Sequence, residues 1–404
     1  MTDEQLSHLG LDMGRVIDRR VYTDPHIYKA EMTQVFSRTW QFVAHESELQ
    51  GPGDYISATI GEQPIILCKG RDGSLNAFYN VCTHRGAVLT TRRKGNCGAA
   101  FRCMYHGWTF DQEGHCIGVP YPDAYGQDFS RDVYDIPSIR VETFAGLVFV
   151  CLSDDIGPLE EYMGEVGPYV REVVEGTESL GRVRWAYDGN WKSWHENFAD
   201  NYHPEFTHPV VGTGYRGIEV KGNNYWLDEG HGMLRFPPQR DPQRIVAAMR
   251  ETSGLENNIS DNPLWQRPPF DVDFKQDHRI ITVFPNLDLQ FMTGGMMNII
   301  QVLRPQGVDR TVVELLALGT KGESQPAREW RLERTLDSQG STGKVSGDDN
   351  EAVVRCQLGF AASAVPWSNM SRGQEPGKVG GKRDEYSMRS FYHAWRRYMG
   401  EHAL

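Results

Sequence analysis

Two short stretches of this 404-residue chain gather the side chains that bind metals. Residues 81–110, VCTHRGAVLTTRRKGNCGAAFRCMYHGWTF, carry Cys82-x-His84, eighteen intervening residues and then Cys103-x-x-His106. Residues 195–208, HENFADNYHPEFTH, place three histidines and three carboxylates in fourteen positions. The second stretch lacks the HExxH spacing of zinc hydrolases. His203 and His208 are five residues apart, so on an ideal helix their side chains would diverge by about 140°. Pro204, directly after His203, disfavours a regular helix there. Both imidazoles could face one ion only across a bulge or break between the two histidines.

Two cysteines and two histidines split over two loops suit either a single zinc ion or a [2Fe–2S] cluster in which the cysteines hold one iron and the histidines the other. The local context favours the cluster. Gly86 follows His84 at one remove, Gly107 follows His106 directly, and Trp108 supplies an aromatic cover. Small residues at tight turns let backbone N–H groups approach cluster sulfurs. The remaining cysteines are Cys68, Cys97, Cys116, Cys151 and Cys356, making an odd total of seven. An odd count in a long chain without a secretory signal predicts thiols rather than a disulfide framework.

The elements that position these residues follow from periodicity and turn chemistry. Asp24-Pro25 opens an amphipathic helix expected over residues 24–40. From 41 to 155, the runs DYISATI, QPIILCK, LNAFYNV and GLVFVCL between Gly and Asp turns predict a small all-β domain. Helix returns over 156–175. From 278 to 318, RIITVFP, LDLQFMT, MNIIQVLRP and RTVVELLAL predict an antiparallel meander. Helices are expected at 324–336 and 350–364, a mobile Gly-rich loop at 371–385, and a closing helix from 386 whose aromatic stripe is packing.

A net charge of −12 argues against nucleic acid or an anionic membrane as the main partner. The start is polar and acidic, and no apolar run reaches the roughly eighteen residues of a membrane span, so a cytoplasmic location is expected. Arg85, Arg92, Arg93, Lys94 and Arg102 form a local basic run, which reads either as a solvated face or as a docking patch for an acidic electron donor. GTGYRG at 212–217 satisfies GxGxxG but lacks the preceding strand and following helix of a dinucleotide site. It is read as a loop rimming the active site, so reducing equivalents come from a separate protein.

Residues 40–155 resemble the Rieske domain of ring-hydroxylating oxygenase large (α) subunits, with a slightly longer tip between the ligand loops. NWKSWHENFADNYHPEFTH, residues 190–208, resembles the mononuclear-iron motif of the same family through its NWK, EN and D-x2-H-x4-H elements. The resemblance implies an α+β chain. A helical segment at 1–39 packs on the catalytic domain, an all-β Rieske [2Fe–2S] domain spans 40–155, and a helix-grip (START-like) catalytic domain with an antiparallel sheet spans 156–404. It implies Cys82 and Cys103 on one cluster iron, His84 and His106 on the other, and His203 and His208 on a mononuclear Fe(II). The third iron ligand comes from GDDNEAVVRCQLGF, residues 347–360, where Asp349 aligns best and Asp348 and Glu351 are the alternatives. Asp200 links the centres by accepting hydrogen bonds from His106 of one subunit and His203 of the next. Asn197 lies beside the iron, and His195 and Glu205 serve structure or solvent contact.

Two histidines and one carboxylate on one face leave positions open for O2 and substrate. The implied enzyme is a terminal oxygenase that hydroxylates or dihydroxylates a small aromatic, aromatic acids included. O2 is co-substrate, and electrons come from NAD(P)H through a separate reductase, directly or through a ferredoxin. The assembly is α3, or α3β3 with a small β subunit. The substrate pocket is expected within 209–310, with Phe291, Met292, Met296 and Met297 as lining or as core. Oxidative O- or N-demethylation is the alternative on the same metals, and a zinc-binding non-redox protein is the alternative from another class.

Overall fold

The computed structural model describes residues 15–208, 221–238, 268–271, 276–292, 295, 297–373 and 375–402. GTGYRG at 212–217 and Met296 lie outside the described residues. The chain divides into two compact units. One is Met32–Tyr162, and the other joins the residues up to Glu31 with those from Met163 onward.

The smaller unit is built on a seven-stranded antiparallel sheet. Its strands in chain order are β1 (Gln41–His45), β2 (Asp54–Ile60), β3 (Gln63–Lys69), β4 (Leu75–Tyr79), β5 (Lys94–Asn96), β6 (Ser138–Phe144) and β7 (Leu147–Cys151). In space they run β1–β7–β6–β4–β3–β2–β5. Strand alternation splits each apolar run between two cores. On β3, Ile65 and Leu67 join Val43, Ile56, Val148 and Val150. Ile66 and Cys68 point the other way, toward Tyr55, Phe78, Phe101 and Trp108. A three-stranded sheet of Phe101–Arg102, Thr109–Phe110 and Cys116–Gly118 completes this second core.

The larger unit holds an eight-stranded antiparallel sheet. Its strands are β8 (Thr177–Tyr187), β9 (Asn223–Trp226), β10 (Gly232–Phe236), β11 (His278–Val283), β12 (Leu287–Phe291), β13 (Asn298–Gly307), β14 (Arg310–Thr320) and β15 (Val379–Gly381). Their order is β8–β14–β13–β12–β11–β10–β9–β15. β13 and β14 are buried along nearly their whole length, as for strands covered on both faces. The helices are α1 (Pro25–Glu31), α2 (Trp191–Ala199), α3 (Pro204–Thr207), α4 (Gln325–Gln339), α5 (Ser346–Phe360) and α6 (Tyr386–Met399).

Several boundaries differ from expectation. The first helix does not run over 24–40. Asp24 ends the turn Arg20–Thr23 and caps α1 by accepting the His26 N–H, and after Glu31 the chain widens into a π-helical turn, Met32–Phe36. The hydroxyls of Ser37 and Thr39 then bond the carbonyls of Met32 and Val35, which ends the helix. The helix expected at 156–175 is broken into Leu159–Met163 and Gly167–Val174, with Gly164 between them at φ +37. The segment expected as a loop at 371–385 contains β15, which pairs with β9. α5 begins four residues earlier than the helix expected at 350, because Ser346 is tied to the end of α4 through Gln339.

Two carboxylates, Glu31 and Glu196, lock α2 in place. Glu31 accepts hydrogen bonds from the indole N–H of Trp191 (2.9 Å), the ammonium of Lys192 (2.6 Å) and the indole N–H of Trp395 (2.8 Å). Glu196 accepts from the hydroxyls of Tyr22 (2.7 Å) and Tyr392. Asn190 caps α2 by accepting the Lys192 N–H and donates to the Val308 carbonyl at 2.8 Å. Gln357 on α5 accepts the Asn190 backbone N–H at 3.0 Å, which joins α5 to the start of α2. The NWK element is therefore a cap followed by two anchors.

Glu31 and Lys192 are both fully buried, so removing one strands the other as an uncompensated charge. Lys192→Met is expected to destabilise the protein by roughly 3–5 kcal/mol, read as a lowered midpoint of thermal or denaturant unfolding. A midpoint unchanged from the parent would show that this pair does not hold α2.

Candidate functional site

α2 stops at Ala199, and Asp200 takes an extended conformation as its C-cap (φ −99, ψ 135). The Asp200 carboxylate then accepts the backbone N–H groups of Tyr202 (2.8 Å) and His203 (3.0 Å), which starts a new turn. Pro204 enters at the first position of α3, where its missing N–H costs nothing. The expected break between the histidines is thus an acid-capped restart, with His203 before α3 and His208 after it.

The result is a tight constellation. His203 Nδ1 lies 3.0 Å from Asp200 Oδ2, and its Nε2 lies 3.4 Å from Asp349 Oδ1. His208 Nε2 lies 3.1 Å from the same Asp349 oxygen, and its Nδ1 lies 3.5 Å from Asp348 Oδ2. One donor atom each from His203, His208 and Asp349 fall within 4.8 Å of one another. Both imidazoles are held at Nδ1 by an aspartate, which leaves both Nε2 atoms turned toward Asp349. Asp348 thereby lies behind His208, and Glu351 points away into an ion pair with Arg355 at 2.7 Å. Asp349 sits buried in the first turn of α5, whose N-terminus favours the negative charge.

The arrangement shifts the proton affinities of His203 and Asp349 in opposite directions. Burial disfavours the His203 imidazolium, but the hydrogen bonds and charges of Asp200 and Asp349 prevail and hold it up at about 9. Burial likewise opposes the Asp349 carboxylate, and His203 and His208 overcome that and bring it down to about 2. Two nitrogens and one carboxylate oxygen, with both histidines oriented from behind, fit a divalent iron with positions left open.

Asn197 is half-buried in the last turn of α2, where its carbonyl accepts the Asp200 N–H at 3.3 Å. Glu205 pairs with Arg383. Phe291 and Met297 are buried, and Met297 packs with Ile299 and Leu315 against Met292. Two polar groups carried no signal in the sequence. Asp288, in the strand LDLQF, lies 2.8 Å from His195 in a fully buried pair, where burial pushes its carboxyl up against the pull of His195. Glu385, before α6, is pushed up to about 7 mainly by burial, with the Asp200 charge adding to the rise against the Arg372 N–H.

In the smaller unit, two loops of the same design hold the other ligand set. Cys82 N–H bonds the Ala87 carbonyl (2.7 Å) and Gly86 N–H bonds the Cys82 carbonyl (2.9 Å). Cys103 N–H bonds the Trp108 carbonyl (2.7 Å) and Gly107 N–H bonds the Cys103 carbonyl (3.0 Å). Gly86 and Gly107 both close their turns at φ +75, a conformation that side chains resist. The two thiols are buried in one core. The rings of His84 and His106 lie 4.6 Å apart, and His84 stacks on Trp108 at 4.9 Å. His84 Nδ1 is buried without a hydrogen-bond partner, as expected of a nitrogen reserved for a metal. Two buried sulfurs beside two imidazoles fit a Cys₂His₂ [2Fe–2S] cluster.

Residues 39–144 match the Rieske [2Fe-2S] domain, and residues 174–401 match the catalytic domain of the ring hydroxylating alpha subunit. The chain is 31% identical to the 2-halobenzoate 1,2-dioxygenase large subunit of Burkholderia cepacia, over 88% of this chain and 79% of that one. It is 32% identical to the toluate 1,2-dioxygenase subunit alpha of Pseudomonas putida, over 88% and 81%. A solved structure of naphthalene 1,2-dioxygenase with indole bound in the active site superposes with a TM-score of 0.79 at 26% identity, covering 95% of this chain and 92% of that one.

The protonated His203 makes metal loading pH-dependent. Its raised pKa stabilises the metal-free fold fully below 6.5, and that contribution is lost as pH rises through about 9. The lowered pKa of Asp349 acts above 3.8 and is lost as pH falls through about 2. A metal ligand must be a neutral imidazole, so Fe(II) binding at neutral pH displaces about one proton. Affinity of the metal-depleted protein is expected to rise about tenfold per pH unit from pH 6.5 and to flatten near 9. Calorimetry in buffers of differing ionisation heat measures this; a pH-independent affinity would refute it.

Proposed function

Since this chain belongs to the α subunits of ring-hydroxylating oxygenases, with an N-terminal Rieske [2Fe–2S] domain, we propose that it oxidises an aromatic carboxylate. As such an α subunit it is a terminal oxygenase, with a Rieske cluster, mononuclear iron and O2 as co-substrate. The aromatic-acid reading rests on its likeness to the 2-halobenzoate and toluate enzymes, whose named substrates carry a ring carboxylate.

In this reading His203, His208 and Asp349 hold the iron, and Cys82, His84, Cys103 and His106 hold the cluster. The observation that carries the iron assignment is the convergence of three donor atoms from the two ends of α3 and from α5. Bound there, ferrous iron supplies activation of O2 by electrons delivered from the cluster. The chain's own work is orientation. Asp200 and Asp348 accept the Nδ1 protons of His203 and His208, fix both tautomers and keep both Nε2 atoms available. A single carboxylate among the ligands keeps the site's charge low and leaves room for the reacting partners.

Asp200 also links two subunits, accepting a hydrogen bond from His106 of a neighbouring copy in a homotrimer. Exposed apolar groups flank both ends of that contact. Met104 and Tyr105 precede His106, which is itself exposed, and Tyr202 and Phe206 stand exposed on either side of His203. Such surfaces suit burial against another chain. Arg85, Arg92, Lys94 and Arg102 are exposed on the cluster-bearing unit and suit an acidic ferredoxin or reductase. Its proposed place of work is the cytoplasm, beside the source of NAD(P)H; among the described residues no helix is long and apolar enough to cross a membrane.

Supplied with reductase, NAD(P)H and O2, the enzyme is expected to convert benzoate or toluate to a cis-diol acid and to turn over neutral arenes more slowly. Mass spectrometry of products made under ¹⁸O₂ reads this directly. Preferential oxidation of a neutral arene would overturn the aromatic-acid reading, and formaldehyde release from methylated substrates would point to demethylation instead.

Asp200→Asn is expected to retain iron and the visible spectrum of the cluster while turnover falls by about 100-fold. Turnover near the parent level would remove Asp200 from the electron path.

A further inference from the structure

Beyond the cover of α2, one face of the eight-stranded sheet stays open. The indole N–H of Trp194 bonds Gln301 Oε1 at 2.8 Å, and His195 Nδ1 lies 2.8 Å from Asp288 Oδ1. α2, which leads into His203 and His208, therefore rests on the face that presents Gln301 on β13 and Asp288 on β12. Asp288 stands opposite Thr282 and Gln301, and Gln290 stands opposite Ile280 and Ile299. Residues two apart along a strand share a face, so His278, Ile280, Gln290 and Met292 continue the α2 face farther along β11 and β12. Thr282, Asp288 and Gln301 are buried, whereas these four are half-buried. Arg279, Ile281, Leu289 and Phe291, on the other face of the same strands, are all buried. The opening thus belongs to the side on which α2 lies. Its floor is apolar, because Met292 packs with Met297, Ile299 and Leu315. Two polar side chains interrupt it. The amide nitrogen of Gln290 lies 3.3 Å from His278 Nε2, across the diagonal of the β11–β12 pair. An amide nitrogen only donates, so Nε2 accepts and the imidazole is neutral with its proton on Nδ1. Phe236 stacks on that ring at 5.1 Å and fixes its plane.

We propose that Gln290 and His278 receive the carboxylate of the substrate, whose ring lies on the apolar floor; this assignment rests on the aromatic-acid reading. An apolar surface with a few convergent polar groups is the usual form of a small-molecule site. The second N–H of the Gln290 amide is left to donate to a carboxylate oxygen. A carboxylate withdrawn from water also needs an opposite charge. The charged groups nearby are already engaged. Asp277 and Arg279, on either side of His278 in sequence, pair with Arg235 and Glu172, and Asp288, the next residue of this face along β12, faces His195. His278 itself can supply the charge. Burial alone brings its imidazole down to about 4, so it is neutral at ordinary pH. A carboxylate beside it favours the imidazolium and opposes that burial, so the anion enters together with a proton taken up by His278. With its amide turned about, Gln290 accepts the new Nε2–H through its oxygen and keeps its N–H groups for the carboxylate.

The test uses the metal-loaded oxygenase and two probes, benzoate and toluene. Calorimetry near neutral pH, in buffers of differing ionisation heat, is expected to show about one proton taken up per benzoate bound by the parent. In Gln290→Leu and His278→Leu, benzoate affinity is expected to weaken by about 10- to 100-fold. The ratio of kcat/KM for benzoate over toluene is expected to fall by a similar factor, chiefly through KM for benzoate. Proton uptake is expected to vanish in His278→Leu. The visible cluster spectrum reports folding, and Gln290→Met, which keeps the length of the side chain, replaces a leucine variant that does not fold. Benzoate bound by the parent without proton uptake would overturn the assignment. So would variants in which kcat falls for both substrates while benzoate affinity and the acid-to-arene ratio stay at parent values, the mark of a structural role alone. In either case a parent that still prefers benzoate leaves the aromatic-acid reading standing. A parent that prefers toluene removes that reading and this assignment together.

Discussion

The carboxylate of Glu31 is the constraint on which the larger unit turns. It is fully buried, and such a charge persists only when paired and fully hydrogen-bonded. Its partners are the ammonium of Lys192 and the indoles of Trp191 and Trp395, so one group fastens α1, α2 and α6 together. The desolvation cost of such a pair makes it a poor source of net stability. What it supplies is position, because α2 cannot slide or rotate without breaking two of these bonds at once. Gln357 carries that position to α5 through the Asn190 N–H, and Asp349 lies two helical turns away on the same helix. The donor triad can therefore be drawn from distant parts of the chain and still close to within 4.8 Å.

Around both clusters of candidate ligands the same economy recurs. Short-range hydrogen bonds fix these side chains from behind. Asp200 both caps a restarting helix and orients His203, and Asp348 does the second task for His208. In the smaller unit the work passes to the backbone, where each ligand loop closes on its cysteine through one N–H and one carbonyl.

Much of this was legible in the sequence because it is local. β-rich runs between Gly and Asp turns marked the strands of the smaller unit, and Cys82, His84, Cys103 and His106 stood out by spacing alone. Pro204 signalled that the helix carrying the histidines must break, and the structure shows a stop at Ala199 with a restart at Pro204. The third carboxylate was harder. Asp348, Asp349 and Glu351 are indistinguishable by type, and only the register of α5 against the histidines turns Asp349 inward and Glu351 out to Arg355. Least legible were the buried polar groups whose partners are remote. Asp288 sits in the strand run LDLQF, where nothing local points to its partner, and it faces His195. The strand Val379–Gly381 hid in a Gly-rich run because its pairing partner lies far upstream.

The twin loops of the smaller unit differ in one respect. Both close with a glycine four residues after the cysteine, yet His84 stands two residues after its cysteine and His106 three. That single-residue offset breaks the equivalence of the frame. One imidazole is tucked flat against Trp108, and the other is presented at the surface. A pair of rings held this way has an inside and an outside, with one covered by an indole and one open to solvent. Which of the two a neighbouring molecule can touch is thus set by loop length alone.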